Sequence, residues 1–151
     1  MSFGFSIGDF ITLLDKAHLV YRKCKSAPSD YAVLAQHVEI LTHVLEETRS
    51  ILSPSLASSL PKPKLNSLVS ARESCQITLD EVEKFLNKYE DMGKKHPTYF
   101  KRVKFIGKDV EGLKARLSLS TNLLQLGLSS LSRYIKLLFL LHCRQIKYNS
   151  S

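Results

Sequence analysis

The chain lacks most of the features that mark catalysis and export. Cysteine is scarce: Cys24, Cys75 and Cys143 are far apart, odd in number and in no metal or redox spacing. That argues against a disulfide framework and a paired-thiol centre, and it fits structural thiols in a reducing, intracellular setting. No basic residue precedes Lys16, and Asp9 and Asp15 interrupt the first apolar face, so the start of the chain does not read as a secretory signal. No G-x-x-x-x-G-K-[ST] loop is present to cradle a phosphate. There is no G-x-S-x-G elbow and no acidic cluster for a metal. The histidines, His18, His37, His43, His96 and His142, are scattered. His37 and His43 are too far apart to form the four-apart pair of a metalloprotease helix, and they fall on different helix faces. Ser74 and Cys75 lie in a helical stripe, which suits a packing thiol rather than a nucleophile. Neither an enzyme nor a cofactor nor a metal is expected. No run of β-branched residues has period two, and no repeat of about 20–50 residues appears.

Acid is missing from one region in particular. Residues 1–93 carry ten Lys/Arg and twelve Asp/Glu, whereas residues 94–151 carry twelve Lys/Arg and only Asp109 and Glu111. The whole net charge of +8 therefore comes from the last third. A field of one sign attracts anionic lipid, nucleic acid or an acidic partner, or it simply keeps a helix face solvated.

What the chain has is helical periodicity. The length of 151 residues and 44% hydrophobic content suit one globular domain. The opening MSFGFSIGDF is apolar and holds Gly4 and Gly8. Ser6 and Asp9 have capping-box spacing, and Ile7, Phe10, Ile11, Leu14, Ala17, Val20, Tyr21 and Cys24 then follow one helix face. KSAPSD breaks this helix, with Pro28 suited to the first turn of the next. The second stripe is Tyr31, Leu34, Val38, Leu41, Leu45, Thr48 and Leu52. Residues 53–64, rich in Ser and Pro, read as a loop. A third helix is expected from about Leu65 to Met92, with Gly93 as its stop. GKKHPT reads as a basic turn, and YFKRVKFIG alternates more than it cycles. A long final helix is expected from near Lys108, with Asp109 and Glu111 in its first turn. Its stripe is Val110, Leu113, Leu117, Leu124, Leu128 and Leu131, and Leu119, Leu123 and Leu126 widen it as in a central helix. The expectation is an all-α antiparallel four-helix bundle with a long C-terminal helix, residues 1–132, followed by a basic and apolar extension, residues 133–151.

Two segments resemble a known family. MSFGFSIGDF with KSAPSDYAVLAQHVEIL, and VKFIGKDVEGLKARLSLSTNLLQLGLSSL, are similar to the N-terminal helical domains of fungal STAND proteins. These are the HeLo-like domains, some described as the N-terminal domain of the azaphilone pigment cluster protein. The resemblance implies a helical bundle at the head of a receptor, acting in fungal programmed cell death or heterokaryon incompatibility. It further implies oligomerisation and membrane targeting, with the first helix implicated in disruption. The sequence departs from the receptor plan in lacking a nucleotide-binding loop.

Three surfaces stand out as candidates. Phe3, Phe5, Ile7, Phe10 and Ile11 form either a wedge for a bilayer or partner, or simply the core face of the first helix. Lys94, Lys95, Lys101, Arg102, Lys104, Lys108, Lys114 and Arg116 form a basic set suited to an anionic leaflet. Tyr99, Phe100 and Phe105 lie among them and suit base stacking, but no nucleic-acid-binding signature accompanies them. In the tail, Leu137 to Leu141 are fenced by Arg133, Lys136, Arg144 and Lys147. That run is too short to span a bilayer, so it either lies at the interface or extends the last helix and packs on the bundle. The resulting expectation is a cytoplasmic, non-catalytic effector, peripheral at the inner face of the plasma membrane. Its partners would be anionic lipid and either itself or a STAND-type protein. The alternatives are a protein–protein adaptor and a nucleic-acid accessory domain.

Overall fold

Apolar residues three and four apart fold nearly the whole chain into helix. The computed structural model describes residues 6–27, 31–95 and 103–150, with side chains up to residue 91 and again from residue 109. Within them α1 is Ile7–Ser26, α2 Ala32–Ile51, α3 Pro54–Ser59, α4 Lys62–Lys95 and α5 Val103–Asn149. The described residues contain no strand. The all-helical class and the long final helix are as expected.

The helix boundaries depart from expectation in four places. Ser6 is the N-cap of α1 and Asp9 lies in its first turn, but the Ser6 hydroxyl caps no amide. Ser6 is exposed, so water can serve it. The 53–64 segment is not a loop but holds α3 and the start of α4. Its Ser and Pro act as helix starters: the Leu56 amide donates to Ser53 Oγ at 3.2 Å, and Pro54 occupies the first turn. Gly93 does not stop its helix, because α4 continues to Lys95 and no described glycine has a positive φ. Glycine inside a helix costs only about 1 kcal/mol relative to alanine. Finally, α5 begins at Val103, so Asp109 and Glu111 lie beyond its first turn. Pro28 and the turn around His96 lie outside the described residues.

Polar contacts fix the helix directions. Tyr21 donates to Glu39 and His18 lies against Glu46, which makes α1 and α2 antiparallel. Lys64 with Ser130, Ser74 with Ser120 and Arg116 with Glu81 make α4 and α5 antiparallel. Lys16 with Asp80 and Lys23 with Asn87 set α1 parallel to α4. His37 with Ser118, and the groove shared by Glu47 and Ser132, set α2 parallel to α5. Two helical hairpins, α1–α2 and α4–α5, thus lie side by side. The start of α1, the end of α2, α3 and the start of α4 gather at the end from which α5 emerges. The end of α4 and the start of α5 lie at the opposite end.

The core is the sum of the stripes. It includes Phe10, Leu13, Leu34, Leu41, Leu68, Leu79, Leu117 and Leu124. Each large apolar side chain fully buried stabilises by roughly 1.5–3 kcal/mol, before the chain entropy that opposes it. Helices α4 and α5 approach closely at Gly127, where an added Cβ would meet Leu68 Cδ2 at 3.1 Å. The same seam buries hydroxyls: Ser120 Oγ lies 3.0 Å from Ser74 Oγ and 2.9 Å from Thr78 Oγ1.

Helix α5 outruns the bundle. Leu131 is its last buried residue, and Tyr134 and Ile135 still lean on the core. From Lys136 to Ser150 every side chain is exposed except the half-buried Cys143. The tail therefore extends the last helix, as one of the two expectations has it, but it does not pack on the bundle. The uncovered part of α5 is about 21 Å long at 1.5 Å per residue. Leu119, Leu123 and Leu126 correct a further expectation, because they are exposed and α5 is not a central helix. Among the described residues no helix covers that side of α5, so the second apolar face looks outward.

Candidate membrane-facing site

The proposed wedge divides on inspection. Phe10 is 1% exposed and packs in the core with Leu13, Leu14 and Ala17. Ile7 is half-buried, while Ile11 is 39% exposed. Phe3, Phe5 and Gly4 lie outside the described residues. Phe10 can meet a bilayer only if α1 leaves the bundle.

Charge also holds α1 in place. Lys16 Nζ contacts Glu83 and lies 3.0 Å from Asp80 Oδ1. Lys23 Nζ donates to Glu83 Oε1 at 2.8 Å and to Asn87 Oδ1 at 3.2 Å. Hydrogen bonds from Lys16 and Lys23 hold the Glu83 carboxyl below the usual carboxylate range. The hydrogen bond to Glu83 raises Lys16 above its ordinary value, against the opposing effect of burial.

The basic set is only partly within view. The side chains of Lys94, Lys95, Lys101, Arg102, Lys104 and Lys108, with Tyr99, Phe100 and Phe105, lie outside the described residues. Lys114 sits 3.5 Å from Glu111, and Arg116 Nη1 sits 2.5 Å from Glu81 Oε2. Both are therefore balanced by local carboxylates. The backbone carrying Lys94 and Lys95 ends α4, at the far end from the start of α1. Among the described residues, Phe10 and Ile11 at the start of α1 thus lie at the opposite end of the bundle from the backbone of Lys94 and Lys95.

The tail is the part that remains open. Leu137, Leu138, Leu140 and Leu141 are exposed, as are Arg133, Lys136, Arg144 and Lys147. Its lack of cover was not readable from sequence, because periodicity gives a helix's apolar face but not the length of its neighbours. Residues 109–149 have the length and hydropathy of a membrane span, a test that core helices of soluble proteins also pass.

Reactive chemistry finds no assembled site among the described residues. No group of His, Cys, Asp and Glu there could hold a metal. Burial pushes the Cys24 thiol up to about 11 and the Cys75 thiol up to about 12, which suits packing thiols. Sequence reading missed one pair: Ser118 Oγ lies 3.3 Å from His37 Nδ1 across α2 and α5. No carboxylate orients that ring among the described residues, so the pair serves to tie two helices. A groove of about 470 Å³ lined by Leu19, Arg22, Tyr31, Leu86 and Tyr89 opens at the end away from the tail. There the rings of Tyr31, Phe85 and Tyr89 pack edge-on and tilted against one another. No protein-family model, curated protein or solved structure matches the chain.

Proposed function

We propose that this chain is a non-catalytic signalling or effector module of the fungal STAND type, a HeLo-like bundle that works at an anionic membrane surface. One observation carries this reading: α5 leaves the bundle with its leucines uncovered and cations among them. Monomeric soluble proteins rarely leave a large contiguous apolar patch bare, and such a patch rimmed by polar groups marks a contact surface. The module belongs to the cytoplasm and the inner face of the plasma membrane, where anionic lipid is concentrated.

Vesicle co-sedimentation of the full chain tests the reading. Binding should rise with phosphatidylserine content and fall with salt. A protein that ignores acidic vesicles and runs as a stable dimer is an adaptor instead. Tight binding of single-stranded oligonucleotides with a steep salt slope would make it a nucleic-acid accessory domain.

A further inference from the structure

We propose that the outward side of α5, along its length from Leu119 to Tyr148, is the face that lies against anionic lipid, with the bundle resting on top of it. This rests on the membrane reading above and names its contact surface. The inference starts from helix geometry. At about 100° per residue, the buried positions of α5 fall on one arc, centred on Leu113, Leu124 and Leu131. The exposed Leu119, Leu126, Arg133, Leu140 and Lys147 recur every seven residues on the opposite side. Leu123, Leu137 and Arg144 fall between them, and all eight occupy an arc of about 120°. Leu126 is 65% exposed and Leu140 is 64% exposed, so the stripe is bare both beside the bundle and beyond it.

Such spacing would also suit a helix from a second copy. Charge decides between the two occupants. No Asp or Glu occurs anywhere after Glu111, so Arg133 and Arg144 meet no carboxylate side chain in an identical stripe. Two copies would bring like charges into one seam, which is unfavourable. An anionic headgroup layer supplies the missing charge, while leucines enter the acyl boundary and long basic side chains reach back to the phosphates.

Two other poses fail on geometry. A span needs about 20 residues, and any such stretch reaching into the uncovered tail buries Arg133 and Lys136 or Arg144 and Lys147. Laying the tail flat on its bundle-facing arc puts α2 and α4 between α5 and the membrane. Contact through the outward side leaves them clear.

The test places an environment-sensitive dye on the full chain in a Cys143→Ser background, where the remaining Cys24 and Cys75 are buried. The dye goes at Leu126→Cys, at Leu137→Cys or, off the stripe, at Ser58→Cys. With phosphatidylcholine–phosphatidylserine vesicles, the dyes at 126 and 137 should shift to the blue and the dye at 58 should not. Arg133→Gln with Arg144→Gln should weaken partitioning about twenty-five-fold, at about fivefold per cation. Both sites are exposed, and helical circular dichroism confirms that the variants fold. Vesicle binding with a silent dye at 126 overturns the side-on face and leaves the membrane reading intact. Binding by wild type that the double variant does not weaken overturns the role of the cations alone. No binding by wild type to any vesicle overturns both. A dimer that buries the dye at 126 without lipid assigns the stripe to a second copy.

Discussion

The first and last helices of this protein treat their leucines and aromatics in opposite ways. Helix α1 turns Phe10, Leu13 and Leu14 inward and adds two lysine contacts to Glu83 on α4. Helix α5 buries one face as far as Leu131, then continues with Phe139 and Leu140 in water. The same residue types thus act as core in one place and as uncovered surface in the other. What separates them is the presence of neighbours, because hydrophobic stabilisation depends on area removed from water and not on composition. Family resemblance had pointed to α1 as the membrane element, whereas its placement makes α5 the element that is free without rearrangement.

Substitutions can break or sharpen this contrast, and the largest effect belongs to α1. Phe10→Ala should cost about 3–5 kcal/mol in urea unfolding, as for other buried phenylalanines. Phe139→Ala, at an exposed site, should change stability by less than about 0.5 kcal/mol. Equal effects would erase the contrast. Leu131→Ala should cost about 2–5 kcal/mol and Leu138→Ala almost nothing, which would locate the end of the core between them.

The Glu83 contacts give a smaller effect whose sign follows from linkage. The folded state holds the Glu83 carboxyl below its unfolded value, so its stabilisation is present above the unfolded value, about 4.3, and is lost as pH falls through the folded value. Lys16 is raised, so its share is present below about 10.4 and is lost as pH climbs through the folded value. Wild type should therefore exceed Glu83→Gln in stability at neutral pH, with the gap closing in acid. A gap that persists in acid would make the contact one of packing rather than charge. The smallest effect should come from truncation after Lys136, which should leave the urea midpoint nearly unchanged while removing the helical circular dichroism of residues 137–149.

Much of the core was legible in sequence. All seven residues of the second stripe, from Tyr31 to Leu52, are buried, because α2 has neighbours along its whole length. Starts and stops were less legible. Ser53, Pro54 and Gly93 are each compatible with a break or with a helix, and the choice is made by packing that local sequence does not encode. The candidate site was read least well. Leu126 and Leu124 look alike in a list of leucines, yet they lie on opposite sides of α5. Knowing which arc meets α2 and α4 requires the partners as well as the period.

The hydroxyls enclosed between α4 and α5 bear on how a pull on the projecting helix would travel inward. A seam of leucines alone tolerates sliding by a turn, since one methyl group substitutes for another. Ser120 meets Ser74 and Thr78 in one alignment, and displacement by a turn would orphan the buried Ser120 hydroxyl at about 1–3 kcal/mol, whereas Thr78 keeps its bond to the Ser74 carbonyl and Ser74 is only half-buried. The pair of helices therefore resists slippage like a keyed shaft. Force applied at the tip would lever the whole hairpin as one piece before it drew α5 past its neighbour.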